Sequence, residues 1–347
     1  MDCVIGGDAG DASPAAKLVA SCCDNLLIHP NVVNASDINE MTPNMWYVEG
    51  SQMDRFLWGR IQLYKPRVNK ILTVANRPIG YKTENAVNAA RATIGCDIDI
   101  LELNKDLIIT SKFNKRGCAT GDIKGWKELV KQVREHRKHH PFDALAIHTP
   151  VKIPREIEMA YYEDPNKKVN PMGGAEALAS KYIADKLNMP VAHAPFDDIS
   201  YEEDPDLFYV FDQVGEPTLA AEFISTCYLH CVLKGLWKAP RIGPGLSFKD
   251  IDFMVSPYGC HGQPHNACLA KGIPVIVVKE NTCILKEKPH KDFILVDSYL
   301  EALGVIQAMK IGISPKSVKR PLDYAPLYKN DFKEVENEKE KKSWSQS

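Results

Sequence analysis

Leu145-Ala146-Ile147-His148-Thr149-Pro150 is a short apolar run that stops at a histidine beside a proline. Three other segments follow the same pattern. They are Leu26-Leu27-Ile28-His29-Pro30, Pro190-Val191-Ala192-His193-Ala194-Pro195, and Phe253-Met254-Val255-Ser256-Pro257-Tyr258-Gly259-Cys260-His261. Apolar runs of this length between amphipathic stretches read as parallel strands buried on both faces. In open α/β sheets, ligands sit outside the carboxyl ends of the strands. The four runs therefore place imidazole or thiol groups where an α/β protein keeps its site, and they point to a small molecule.

Outward from these runs, strands alternate with helices. Ser13-Pro14 reads as an N-cap and first-turn pair opening a helix to about Cys22. Residues 71–74 and 98–103 read as strands, 84–94 as a helix ending at Gly95, and 126–139 as an amphipathic helix. Residues 46–57 are ambiguous, and Pro150 to Pro171 reads as a linker or lid. Gly173-Gly174 opens a helix at 175–187, and a second helix is expected at 219–236 after an acidic loop from Asp197 to Asp206. Strands at 251–256, 273–278 and 293–296 and helices at 264–271 and 298–311 complete the order. The expectation is an α/β fold, with mostly parallel sheets and helices on both faces.

Residues 1–150 read as one α/β half with a glycine-rich loop, 151–328 as another with a Cys/His loop, and 329–347 as a disordered charged tail. The segment Gly6-Gly7-Asp8-Ala9, helix, strand ending at His29 resembles Gly173-Gly174-Ala175-Glu176, helix, strand ending at His193. Two readings stand: related halves with the site between them, or ordinary glycines before helices.

The 347 residues suffice for a real core, and 44% hydrophobic with 25% charged residues are ordinary globular values. A net charge of −2 gives no electrostatic case for nucleic acid or an anionic membrane. No run approaches a membrane span, and the first residues lack the pattern of a signal peptide, so the expected place is the cytoplasm. The ten cysteines are scattered rather than framed, and no disulfide is expected. The chain can form a homo-oligomer, which its composition does not decide.

Gly259-Cys260-His261-Gly262 lies between a strand and a helix whose first turn holds Pro264. A thiol at a helix amino end has a lowered pKa, so Cys260 reads as a nucleophile or proton donor, partnered by His261 or His193. The alternative is a tight turn whose cysteine packs. Gly6, Gly7, Asp8, Gly10, Asp11 and Ser13 read either as an anion cradle, without the dinucleotide or phosphate-loop spacing and with Asp8 and Asp11 suited instead to an ammonium group or a metal, or as a structural turn. His29, Asn34, Gly173, Gly174 and Glu176 join Gly259 and Gly262 as binding residues. His29, His148 and His193 are candidate ligands for a divalent metal, with Asp8 or Cys260 completing the shell; otherwise no cofactor is expected. Cys227, His230 and Cys231 share a helix face, which reads as core packing rather than zinc binding.

Gly6-Gly7-Asp8-Ala9-Gly10-Asp11-Ala12, His29-Pro30-Asn31-Val32-Val33-Asn34, Pro171-Met172-Gly173-Gly174-Ala175-Glu176, Val191-Ala192-His193-Ala194-Pro195 and Ser298-Tyr299-Leu300-Glu301-Ala302 together resemble a domain-of-unknown-function family of cyanobacteria and plants. The resemblance spans about residues 4–320 and implies an α/β fold without a settled activity. A looser, architectural likeness is to the aspartate/glutamate racemase superfamily, through two α/β halves and a glycine-flanked cysteine. Those enzymes carry a cysteine in each half, and His29 or Asp8 stands at the first-half position here. The functional expectation is an enzyme of lyase, isomerase or hydrolase type on a small polar, carboxylate-bearing metabolite. Two alternatives remain: a nucleotide- or metabolite-binding protein without catalysis, and a metal-dependent hydrolase using the histidines.

Overall fold

A computed structural model describes residues 12–33, 35–115, 117–163, 168–195, 228–282, 284 and 287–327. Its elements run in the order α1 (Ser13–Ala20), β1 (Leu26–Ile28), β2 (Met45–Tyr47), α2 (Gly50–Leu57), β3 (Leu63–Tyr64), β4 (Lys70–Ala75), α3 (Tyr81–Ile94) and β5 (Asp97–Glu102). Next come β6 (Ile108–Phe113), β7 (Ala119–Lys124), α4 (Trp126–His139), β8 (Ala144–Thr149), β9 (Val151–Lys152), α5 (Arg155–Glu163), α6 (Pro171–Leu187) and β10 (Val191–Pro195). The rest are α7 (Tyr228–Lys238), β11 (Arg241–Ile242), β12 (Met254–Tyr258), α8 (Gln263–Lys271), β13 (Val275–Thr282), β14 (Ile294–Val296), α9 (Tyr299–Lys310) and α10 (Pro315–Val318).

The fold is mixed α/β, mostly parallel, with helices flanking the sheets. Its centre is the parallel sheet β10-β8-β4-β5. All six residues of β8 are buried, as the apolar run predicted. Alternation along the strand divides them between two faces. Leu145 and Ile147 join Val191 of β10 in a core under α4 and α6. Ala144 and Ala146 join Ala192 and Ala194 in a second core under α3 and α7. The same alternation carries on to the polar residues at the strand ends. His148 falls on the α3 side and bonds Thr83, while Thr149 and His193 fall on the α6 side and bond each other.

The four apolar runs do not share one sheet. Among the described residues, β1 pairs only with β2, and β12 lies in a separate sheet with β13 and β14. The division expected at residue 150 falls between β8 and β10, which are paired neighbours. Contacts instead separate Met1–Leu303 from Gly304–Ser347. Within the second unit, the described residues contain the end of α9 and the four-residue α10. The tail from residue 329 lies outside the described residues.

Two other expectations changed. The Pro150–Pro171 stretch contains α5, with Pro154 ahead of it and Glu156 and Glu158 in its first turn, which suits a helix amino end. Gly173 and Gly174 do not precede α6 but lie in its first turn. Gly174 lets the helix lie on β7, because a methyl there would run into the Ala119 carbonyl.

Candidate functional site

Burial and hydrogen bonding build the site around a cleft of about 800 Å³ within the first unit. Its walls come from α1, β1, α2, α6, β10, α7, β12 and the start of α8. α2 and α6 are tied across one side of it. Asp54 pairs with Lys181, and the Arg55 guanidinium donates to Asn188 Oδ1 at 2.6 Å.

His193 lines the cleft with both ring nitrogens hydrogen-bonded. Its side chain is fully buried, Nδ1 lies 2.9 Å from Glu176 Oε1, and Nε2 lies 3.0 Å from Thr149 Oγ1. A carboxylate only accepts, so Nδ1–H donates to Glu176 and the remaining nitrogen accepts the threonine hydroxyl proton. Thr149 is fully buried and does not line the cleft, whereas Glu176 is 21% exposed and does. The chain Thr149–His193–Glu176 therefore ends on a carboxylate that faces the cleft, oriented by the ring behind it.

A second carboxyl group lines the cleft from α2. Glu49 is the N-cap of α2, is buried, and makes no side-chain hydrogen bond among the described residues. Burial raises its pKa to about 8, so it is mainly protonated at neutral pH. Beside it, the Tyr47 hydroxyl is raised well above its usual range by burial, with the Glu49 and Cys231 charges adding to the effect. Glu49 escaped the sequence reading. Its signal, a lone acid after Trp46-Tyr47-Val48, is indistinguishable from a solvated turn residue until the fold buries it.

His29 also lines the cleft, held to a pKa of about 4 by burial despite the nearby Asp54 carboxylate. Its Nδ1 accepts the Asn31 amide at 3.2 Å, which leaves the proton on Nε2. His148 is near His193 but outside the cleft lining. Its Nδ1 bonds Thr83 Oγ1 at 3.0 Å, and burial, with His193 nearby, lowers it to about 4.

Two comparisons with known proteins bear on this chain. The sequence profile of a family described as "Protein of unknown function" (DUF3326) matches residues 1–319. The chain belongs to the DUF3326 family. A Synechococcus protein named an uncharacterized lipoprotein is 31% identical over 336 residues, covering 92% of this chain and 90% of that protein. The family resemblance read from the sequence is thereby shown. The cytoplasmic expectation is corrected by this relative, whose name places it among lipoproteins. Among the described residues, no helix is long and apolar enough to cross a membrane.

The expected residues of this DUF3326 chain fall into three groups. His29, Gly173, Gly174, Glu176, His193 and Gly262 line the cleft. Gly6, Gly7, Asp8, Gly10, Asp11, Asn34 and Cys227 lie outside the described residues, and with them the anion cradle and the comparison of its repeat. The third group does not reach the cleft. Ser13 is the first helical residue of α1, whose Ala12, Ala15 and Ala16 face the cleft instead. Gly259 is a turn residue at φ +85°, and His261 is turned to Asn266 Oδ1 at 2.9 Å and stacked on His265.

The Cys260 reading is corrected. Cys260 is buried and disulfide-bonded, its partner lying outside the described residues, so its sulfur is neither a thiolate nor a proton donor. The expectation of a chain without disulfides fails with it. Its neighbour His265 also has a structural geometry. Nδ1 accepts the Gly262 amide, so Nε2–H donates to Ser256 Oγ at 2.8 Å and cannot deprotonate it. Among the described residues, no three His, Cys, Asp or Glu side chains gather as metal ligands, and hydrogen bonds occupy both ring nitrogens of His193.

Proposed function

We propose that this cleft is the active site of an enzyme that moves a carbon-bound proton on a small polar, carboxylate-bearing metabolite, in isomerase or lyase chemistry. The observation that carries this is the Thr149–His193–Glu176 chain, which fixes a carboxylate at the cleft wall as a general base. Glu49, protonated and without a side-chain partner among the described residues, is the complementary general acid. A carboxylate held in place by His193 and a second carboxyl group kept protonated by burial supply both halves of an acid–base reaction. The cysteine of the sequence reading has no part in it.

A base that abstracts a carbon-bound proton leaves a trace that needs no knowledge of the product. Incubating the full chain in D2O with a panel of small carboxylic acids and reading deuterium uptake by NMR tests the proposal. Exchange on one compound is expected, and Glu176→Gln should slow it by roughly two to four orders of magnitude while melting near the wild type. No exchange with any compound, or equal exchange by the variant, overturns the reading. Binding of a panel compound without exchange would favour the non-catalytic alternative.

The relative's lipoprotein name and the Cys260 disulfide together support a place outside the reducing cytosol for this chain, at a membrane surface. Fractionation of the source cells tests this, and recovery in the cytosolic fraction with Cys260 reduced would refute it.

A further inference from the structure

We propose that the amino end of α2 is the subsite for an oxyanion of the substrate, a carboxylate or a phosphate, bound by the Ser51 hydroxyl, the amides of Gly50 and Ser51, and the Nε2–H of His29. This deepens the reading above and rests on it for the cleft being a substrate site, though the donors stand independently of any catalysis.

Among the described residues, α2, α6 and α8 bring amino ends to the cleft, as does α1 through its N-cap Ala12, and the first three differ in how their amides are used. In α6 the Asn170 side chain caps the helix, accepting the Met172 amide at 2.9 Å and the Gly173 amide at 3.3 Å. At α8 the Gly262 amide is taken by His265 Nδ1 at 3.1 Å. At α2 the N-cap Glu49 makes no side-chain cap, and the Gly50 and Ser51 amides have no acceptor among the described residues. The positive end of that helix dipole is left open to the cleft.

The second observation is independent of the helix. Ser51 lines the cleft at 7% exposure, and its hydroxyl oxygen has no hydrogen-bond partner among the described residues. Buried hydroxyls are almost always bonded, so an orphan on a cleft wall calls for a ligand atom. His29 adds a third donor type. Its ring lies against Gly50 so closely that a methyl there would stand 2.5 Å from Nε2. Since Nδ1 accepts the Asn31 amide, Nε2 carries the proton, and it has no acceptor among the described residues.

Two acidic side chains of the α2 amino end and first turns, Glu49 and Asp54, do not oppose an anion. Burial keeps Glu49 neutral over most of the neutral range, and the Asp54 carboxylate is paired with Lys181. Gly50 thus has a reason beyond the turn: any side chain would displace the histidine that completes the set.

Isothermal titration of the full chain at neutral pH with inorganic phosphate and, separately, with acetate is the test. Saturable binding of at least one is expected, and the better of the two identifies the oxyanion. Ser51→Ala should weaken it roughly ten- to hundredfold, the scale of a lost hydrogen bond to a charged group. Without ligand that variant should melt no lower than the wild type, because it removes a hydroxyl that bonds nothing. The phosphate- or acetate-induced shift of the His29 Nε2–H resonance gives a readout on the unmutated chain. Glu176→Gln should retain the anion affinity even where deuterium exchange is lost, which separates this proposal from the catalytic one. Lack of saturable binding of either anion, undiminished binding by Ser51→Ala, or a His29 resonance unmoved by anion overturns the subsite.

Discussion

Glu49→Gln separates a buried proton from everything else in the site. In the fold burial raises the Glu49 pKa to about 8, against an ordinary value of 4.5. Between those two values the folded chain keeps a proton that the unfolded chain releases. The associated stability is complete below pH 4.5, falls by about 1.4 kcal/mol per unit as pH rises, and stops falling above about 8. At pH 7 the loss spans two and a half units, about 3 kcal/mol. Glutamine has the same shape and nothing to ionise. The variant should therefore match the wild type near pH 4.5 and exceed it by about 3 kcal/mol at pH 7. Urea denaturation of both chains from pH 4.5 to 8.5 reads this gap directly, and the other titrating groups cancel in the difference. If Glu49 is the general acid, deuterium exchange should drop by two orders of magnitude or more while stability rises. Stability curves that run parallel at all pH values would mean that Glu49 is ionised in the fold, and the acid assignment would be lost.

Two further outcomes follow from groups outside that pair. His29, His148 and His265 are each lowered from 6.5 to about 4, mainly by burial, so the unfolded state takes up protons that the folded state refuses. Their contribution is present above pH 6.5 and is lost as pH falls toward 4, at up to about 4 kcal/mol per unit for three groups. His265→Gln should remove about a third of that slope in acid titrations followed by circular dichroism; an undiminished slope would mean that this ring is charged in the fold. Cys260→Ser should cost about 2–5 kcal/mol, the usual loss on removing a native disulfide. Reductant should lower the melting temperature of the wild type but not of the variant, and rapid alkylation of Cys260 without reductant would contradict the disulfide.

The strands carrying His29, His148 and His193 were legible because an apolar run ending in a histidine is a local pattern. What the pattern cannot supply is a strand's neighbours, and β1, β12 and the central sheet proved to be three separate pairings. Alternation along β8 and β10 fixed which histidine faces α6 and which faces α3, but the bond from His193 to Glu176 depends on how α6 is laid down. The β6–β7 hairpin left no apolar signature, since Thr110, Lys112, Asp122 and Lys124 face outward on it and its turn lies among polar residues. The Cys260 error has a different origin. A glycine-flanked cysteine before a helix has the same sequence whether its sulfur is a thiolate or half of a disulfide.

The two faces of the central sheet are unequal in bulk. On the α4 and α6 side β8 and β10 contribute Leu145, Ile147 and Val191, whereas on the α3 and α7 side they contribute Ala144, Ala146, Ala192 and Ala194, packed with Ala86 and Ala90 of α3 and Leu229, Leu233 and Leu236 of α7. Alanine leaves no slack: a single added methylene on the thin side has no void to enter and must push a helix outward. One of the helices it would push is α7, which contributes Tyr228, Cys231 and Val232 to the cleft wall. Alanines that no ligand touches, Ala144 and Ala146 among them, thereby set how wide that wall stands, and drift in such positions is a route by which related chains could come to accept substrates of different size without altering a polar group.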